Sequence, residues 1–414
     1  MSNNSILVIG GGFAGITAAL EAAEIGYDVI IVEKNPYLGG RVAQLNQYFP
    51  KMCPPSCGLE IQFQRIKNNP RVKFLTLAEV TAVSGSVGDY TVDVKISPRH
   101  VNEKCTCCGK CVDAAKTTVK SEFDLGVGER KTAYCTHLFA FPQRYVVDTV
   151  NASPAELKAI KDACPYDAVD LDAAEKTQTF SVGSIVMATG WQPYPLEKLE
   201  NLGAGKLTNV ISNMQMERLC APSGPTNGVI KRPSDGAEPQ RIAFVQCAGS
   251  RDQNHLNYCS YICCMASLKQ VNYVKERNPS AKVTVFYIDL RTPGRYDKFK
   301  AMATENPNLS LVKGKVAGIK EDADKNPVVT VENAVTGIKS DEPFDLVVLA
   351  TGMQPSIAGQ KLPLTVARDD EGFITAEGDG IVAAGCAKLP LDVMKTAQTA
   401  TGAALKAIQN VVGR

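Results

Sequence analysis

Apolar positions near the start of the chain fall into two alternating periods. Ser5-Ile6-Leu7-Val8-Ile9 is a short branched run, as in a buried strand, and it passes directly into Gly10-Gly11-Gly12-Phe13-Ala14-Gly15. Small and apolar residues then recur at helical spacing (Ile16, Ala18, Ala19, Leu20, Ala22, Ala23), and Asp28-Val29-Ile30-Ile31-Val32-Glu33 returns to a strand. Strand, glycine turn, helix and strand make a phosphate-binding βαβ unit. Gly10 allows the tight turn, Gly12 lets backbone approach a pyrophosphate, and Gly15 permits close helix–strand packing. The helix N-terminus at Phe13 and Ala14 faces the phosphate charge. Glu33 ends the second strand about 20 residues on, where an acid binds a ribose hydroxyl, and Lys34 follows it.

Comparable strands lie downstream. Ser184-Ile185-Val186-Met187 and Leu346-Val347-Val348-Leu349 each lead into Ala-Thr-Gly, at Ala188-Thr189-Gly190 and Ala350-Thr351-Gly352. Arg241-Ile242-Ala243-Phe244-Val245 reads as the first strand of a second nucleotide fold, with a helix expected from about Met265. Its turn, Gln246-Cys247-Ala248-Gly249-Ser250, lacks GxGxxG, so backbone there cannot cradle a second pyrophosphate in the usual way.

Composition narrows the class. The 414 residues are 44% hydrophobic and 21% charged, with 45 basic against 43 acidic residues, a formal charge of +2. This is a soluble multi-domain composition, and it argues against nucleic acid or an anionic membrane surface as the main partner. No apolar run approaches the ~18 residues of a membrane span. MSNNSILVIG has no basic leader, so a cytoplasmic protein without a signal peptide is expected. No nucleophile–base arrangement suggests acyl or phosphoryl transfer, and no catalytic residue is assigned. The distinctive count is 14 cysteines against three histidines.

Spacing sorts these cysteines. Cys247, Cys259, Cys263 and Cys264 surround the strand-to-helix turn that lacks its phosphate loop. Four thiolates there can hold an iron–sulfur cluster, while one or two could instead be buried structural thiols. Cys105, Cys108 and Cys111, with a remote Cys164-Pro165, follow the pattern of one bacterial-ferredoxin [4Fe–4S] site. A zinc knuckle or a metal-free remnant is the alternative. Cys53 and Cys57 form a stiff C-x3-C pair that is either a redox dithiol or two ordinary thiols. Cys107, Cys135 and Cys220 carry no pattern.

Several segments resemble known flavoproteins. Leu38-Gly39-Gly40-Arg41 resembles the second phosphate-contacting segment of FAD-dependent two-dinucleotide-fold enzymes. The Ala-Thr-Gly strands resemble the domain crossings of thioredoxin-reductase-like flavoproteins. Gly380-Ile381-Val382-Ala383-Ala384-Gly385 resembles the last FAD motif, although Cys386 stands where Asp normally binds the ribityl chain. The fold implied is α/β, a thioredoxin-reductase-like two-dinucleotide-binding-domain flavoprotein with an inserted ferredoxin-like module. Its parts are an FAD-binding segment 1–98, the insertion 99–178, FAD-domain continuation and linker 179–238, a degenerate NAD(P)H-type domain 239–345, and a last FAD segment 346–414.

Cys247 with Cys259-Ser260-Tyr261-Ile262-Cys263-Cys264-Met265-Ala266-Ser267-Leu268-Lys269-Gln270 is similar to the cysteine motif of the A-type flavoprotein of heterodisulfide reductase, as are Tyr287–Arg291, Phe139–Gln143 and Ala384–Asp392. The resemblance implies FAD, a [4Fe–4S] cluster on the second tetrad, and a second cluster if the insertion keeps its own. It implies an electron-transfer oxidoreductase subunit that is not NAD(P)H-dependent. The short build is similar to the A-type flavoprotein of the quinone-interacting membrane-bound oxidoreductase of sulfate-reducing bacteria. That likeness implies adenylylsulfate reductase, a membrane haem/iron–sulfur subunit, and a second heterodisulfide-reductase-A-like flavoprotein as partners. Electrons would then pass between the menaquinone pool and adenylylsulfate reductase in dissimilatory sulfate reduction, with flavin-based confurcation as one mechanism. Membrane contact would come only through a partner, placing the chain on the inner face of the cytoplasmic membrane. The alternatives are the A-type flavoprotein of a soluble heterodisulfide-reductase-like complex and a flavoprotein scaffold without turnover.

Overall fold

In the computed structural model, which describes residues 4–375 and 378–413, Ser5–Ile9 is the centre of a five-stranded parallel sheet. The strand order is 381–383, 184–187, 5–9, 28–33 and 72–76, with Val8 opposite Val186 on one side and Ile31 on the other. Period-two alternation explains why the run is apolar throughout. Ile6 and Val8 pack with Ile16 and Leu20 of helix α1 (Phe13–Glu24), whereas Leu7 joins Val92, Val94 and Ile185 on the opposite face. Helix α2 (Ser56–Asn68) adds Leu59, Phe63 and Ile66 to the first cluster. An antiparallel sheet of 78–86, 89–96 and 176–182 covers the other face.

The insertion rises between strands 89–96 and 176–182. Helices α3 (Lys110–Ala114) and α4 (Pro154–Asp162) flank two short hairpins, and the small core is built on Val101, Cys111, Ala115, Ile160 and Ala168. Ser153 caps α4 by accepting from the Glu156 amide. Glu156 in turn accepts from the Lys116 and Thr117 amides and from the Thr117 and Thr132 hydroxyls at 2.6–3.0 Å. One carboxylate therefore ties α4 to both hairpins.

A second, seven-stranded sheet runs 210–212, 346–351, 241–248, 282–287, 309–321, 327–333 and 339–343. Helices α5 (Asn213–Cys220), α6 (Cys263–Arg277) and α7 (Asp297–Thr304) belong to this unit. The boundaries expected from motifs shift accordingly. Strand 346–351 pairs with 241–248 and 210–212, so it lies in the second sheet and not with the last FAD segment. Its six residues are all buried, and such a run marks a central strand without saying of which sheet. The 191–193 and 353–355 strands, one after each Ala-Thr-Gly, pair antiparallel as the joint between the units.

Helix α8 (Val393–Val412) returns to the first unit, N-capped by Asp392, which accepts from the Lys395 amide at 2.8 Å. Its Ala400, Ala403, Ala404 and Ala407 lie against the alanines of α1, where small side chains let the helices approach closely. No described helix is long and apolar enough to cross a membrane.

Candidate functional site

A cavity of about 1580 Å³ opens where the C-terminal strand ends of the first sheet meet the joint between units. Of the residues expected to hold a dinucleotide, Gly10, Gly12, Phe13, Ala14, Glu33, Lys34, Gly40, Arg41, Ala188, Thr189, Gly190 and Cys386 line it. Gly15 and Gly385 do not; they make room beneath it. A Cβ on Gly15 would lie 1.8 Å from the Gly10 carbonyl oxygen, and one on Gly385 would lie 2.8 Å from Ala14 Cβ. Gly10 has φ +108°, and its Cβ would strike the Ala188 carbonyl oxygen at 2.3 Å.

The donors suit a pyrophosphate and a ribose. The α1 N-cap is Gly12, without a side-chain cap or an acid in the first turn, so the amides of Phe13, Ala14 and Gly15 have no intrahelical acceptor. A Cβ on Gly12 would have only Gly40 Cα within 4 Å, at 3.7 Å, so the approach to its backbone is open. Glu33 is buried and accepts from the Gly11 and Asn35 amides at 2.7 Å. Burial pushes its carboxyl upward against those hydrogen bonds. The buried Thr189 hydroxyl and the Gln47 side-chain amide oxygen Oε1, both on cavity-lining residues, have no protein partner. Orphaned polar atoms in such a wall fit a bound polar ligand. Arg41 donates to the Trp191 carbonyl at 3.0 Å and lies over its ring.

The second tetrad forms at the turn that lost its glycines. Strand 241–248 bulges between Val245 and Ala248, and Cys247 has φ +56°. Residues 249–262 then fill the place of a phosphate loop with side chains. Ser250 and Ser260 hydroxyls meet at 2.9 Å, and the Ser260 oxygen accepts from the Met353 amide at 2.8 Å. Helix α6 begins at Cys263, two residues before the expected start, so Cys263 and Cys264 occupy its first turn. Both are buried, while Cys247 and Cys259 are half-buried.

The four thiols interact electrostatically with one another. Burial, then the neighbouring sulfurs, push Cys263 well above an ordinary thiol, and burial lifts Cys264 to about 11. Burial also raises Cys247, where Arg251 and Arg291 oppose it; both guanidinium groups pair with Asp289, at 3.0 and 3.7 Å. The Tyr261 amide donates to Cys259 Sγ at 3.4 Å. Thiolates gathered at one turn need a cationic metal group to offset their charge, so the donor set fits an iron–sulfur cluster.

The insertion gathers the other tetrad. Cys105 and Cys164 pack against the cluster containing Cys111, and Cys108, on the exposed loop, is an electrostatic neighbour of Cys111. Cys164 Sγ accepts from the Ala168 amide at 3.3 Å. Cys107 and Cys135, which carry no spacing pattern, also adjoin Cys105. Among the described residues no three Cys, His, Asp or Glu side chains converge on a single-ion point. Burial and mutual electrostatics unite the second tetrad, whereas in the insertion Cys105, Cys108 and Cys111 share one short stretch of chain and Cys164 joins Cys105 and Cys111 through the small apolar core.

Two features of the site are long-range and escaped sequence reasoning. Glu217 of α5 and Lys269 of α6 are 2–3% exposed and pair at 3.0 Å. Glu217 also accepts from the Asn46 amide, Gln270 and Tyr273, and Lys269 donates to the Gln47 carbonyl at 2.7 Å. This network ties the tetrad-bearing helix to loop 44–49 of the cavity wall. The second feature is an apolar cluster of Trp191, Met353, Cys386, Leu391 and Ile262. It connects the cavity at Cys386 to Ile262, the neighbour of Cys263. Asp392, at the cavity mouth, does carry a local signal, since an Asp just before a helical run is a typical N-cap.

Fold and cradle together define the class: a thioredoxin-reductase-like two-domain α/β fold with a dinucleotide-binding cradle in its first unit. Solved thioredoxin reductases share the fold. That of T. acidophilum has TM-score 0.54 at 15% identity, covering 99% of this chain and 98% of that one. That of Lactococcus lactis has TM-score 0.54 at 14%, covering 99% and 100%. A family model described as FAD dependent oxidoreductase matches residues 5–54. Over nearly the whole chain the sequence is similar to the first of two iron-sulfur A-type subunits of CoB–CoM heterodisulfide reductase in Methanopyrus kandleri, 38% identical over 98% of this chain and 63% of that protein. The corresponding iron-sulfur A-type subunit of CoB–CoM heterodisulfide reductase in Methanocaldococcus jannaschii is 37% identical, over 97% and 63%. The chain thus spans less than two thirds of the length of these relatives.

Proposed function

We propose that the chain is an FAD- and iron–sulfur-dependent electron-transfer subunit of the heterodisulfide-reductase-A type. One observation carries the reading: a cysteine tetrad occupies the turn where a nicotinamide dinucleotide would bind, and an apolar cluster joins it to the flavin-sized cradle. FAD, held by the α1 amides, Glu33, Gly40–Arg41 and the Gly385–Cys386 segment, supplies conversion between two-electron and one-electron transfer. Cys247, Cys259, Cys263 and Cys264 hold one [4Fe–4S] cluster, and Cys105, Cys108, Cys111 and Cys164 hold a second. Trp191, Met353 and Ile262 keep water out of the space between flavin and cluster, and Arg251 and Arg291 balance the cluster's negative charge.

In its physiological setting the chain joins a second flavoprotein of the same type and a membrane haem/iron–sulfur subunit. It passes electrons between the menaquinone pool and adenylylsulfate reductase in dissimilatory sulfate reduction, from the inner face of the cytoplasmic membrane. NADH and NADPH are expected to leave the flavin absorbance of the anaerobic holoprotein unchanged, whereas dithionite bleaches it. Rapid bleaching by either nucleotide would overturn the reading.

A further inference from the structure

Cys53 and Cys57 belong to neither tetrad, yet both line the cavity that contains the dinucleotide cradle. Both are free thiols, Cys53 half-buried and Cys57 exposed, and neither is a member of a hydrophobic cluster among the described residues. Cys220 shows the contrast, since it is fully buried in apolar packing. Inert structural thiols are of the Cys220 kind, and reactive ones are accessible.

The chain is folded to hold the pair. The Cys57 amide donates to the Pro54 carbonyl at 3.1 Å, so a tight turn separates the two cysteines and Cys57 enters the first turn of α2. On the other side, the Tyr48 amide donates to the Cys53 carbonyl and the Met52 amide to the Tyr48 carbonyl, each at 2.7 Å, closing loop 48–53. Pro54 and Pro55 stiffen the turn and limit the conformations it must give up on closing.

Contacts also fix which end of the cavity the loop faces. The Phe49 ring lies edge-on to Tyr296 at 5.4 Å, and the Tyr296 hydroxyl reaches the Asp392 carboxylate at 3.2 Å. Asp392 caps α8 a few residues after Cys386. The pyrophosphate-binding amides of α1 and the ribose-binding Glu33 mark the adenosine side, so the Cys386–Asp392 side is where the isoalloxazine ring belongs. Loop 48–57 therefore borders the redox end of the flavin.

Resting on the flavin reading above, we propose that Cys53 and Cys57 form a dithiol–disulfide couple that exchanges two electrons with the bound flavin. In the oxidative direction the two S–H bonds break and one Sγ–Sγ bond forms. Both electrons and one proton pass to the oxidised flavin, and the second proton passes to solvent. The reverse direction restores both thiols. No outside oxidant or reductant enters the balance, and the couple adds a two-electron reserve beside the one-electron clusters.

The test uses anaerobically purified holoprotein, reduced in steps with dithionite, then denatured with iodoacetamide and digested with trypsin. Cleavage after Lys51 and Arg65 places both cysteines on one peptide, 52–65. This peptide is expected to be disulfide-linked while the flavin is oxidised, and to gain two alkyl groups in proportion to the loss of flavin absorbance. A Cys53→Ser variant that retains its flavin is expected to take up two fewer electrons per chain. Two alkylated cysteines in the oxidised holoprotein, or linkage that ignores the flavin absorbance, would overturn the proposal. A preparation without flavin absorbance would overturn the underlying reading as well, so the two failures are distinguishable.

Discussion

Replacing Cys263 with serine is expected to remove about four iron atoms and about four sulfides per chain while FAD stays bound. Cys263 is buried, and the other three sulfurs of its tetrad are its electrostatic neighbours. Serine binds iron poorly and is shorter, so the three remaining thiols, of which burial already disfavours Cys247 and Cys264 as thiolates, would have to carry the cluster alone. The cradle touches none of these sulfurs, because its donors lie on α1, Glu33 and segment 40–41. Iron, sulfide and flavin assays on the variant check this directly. Loss of flavin with no loss of iron would reverse the assignment of the two sites.

Glu217→Ala is expected to produce the largest loss of stability, about 3–5 kcal/mol, because it leaves the Lys269 ammonium buried without its counter-charge. It also strands the Asn46 amide and the Tyr273 hydroxyl as unpaired donors and removes one of the two hydrogen bonds that Gln270 Nε2 donates. Denaturant unfolding followed by flavin absorbance measures the effect. The double variant Glu217→Ala/Lys269→Met is expected to recover part of that loss, since it removes the unpaired charge and substitutes apolar volume. A double variant as unstable as the single one would show that packing, not the buried charge, dominates.

The parts legible in the sequence are those whose signal is local. Ser5–Ile9, Asp28–Glu33 and the intervening helix are readable from period and glycines because a βαβ unit spends its whole signature within one short stretch. Both cysteine groups are visible by spacing, because most of each lies within one short stretch of chain, and the remote Cys164 is marked by its Cys-Pro. The start of α6 is misjudged because Ile262 caps it without a side-chain hydrogen bond, leaving no Ser, Thr, Asp or Asn to mark the end. Strand 346–351 falls to the wrong domain because burial on both faces reads alike in either sheet. The Glu217–Lys269 pair and the apolar bridge from Cys386 to Ile262 join positions far apart in the chain, and no periodicity records such contacts. The insertion's share of the cavity wall, through residues such as Phe123 and Tyr134, is hidden for the same reason.

A flavoprotein fold that carries its own iron–sulfur wiring in place of a nicotinamide site must hold metal and flavin together. Iron and acid-labile sulfide, counted against FAD in the anaerobically purified chain, test this most directly. The expected result is about eight of each per FAD with both tetrads filled, and about four if only one holds its cluster. Stoichiometric FAD with neither iron nor sulfide would contradict it.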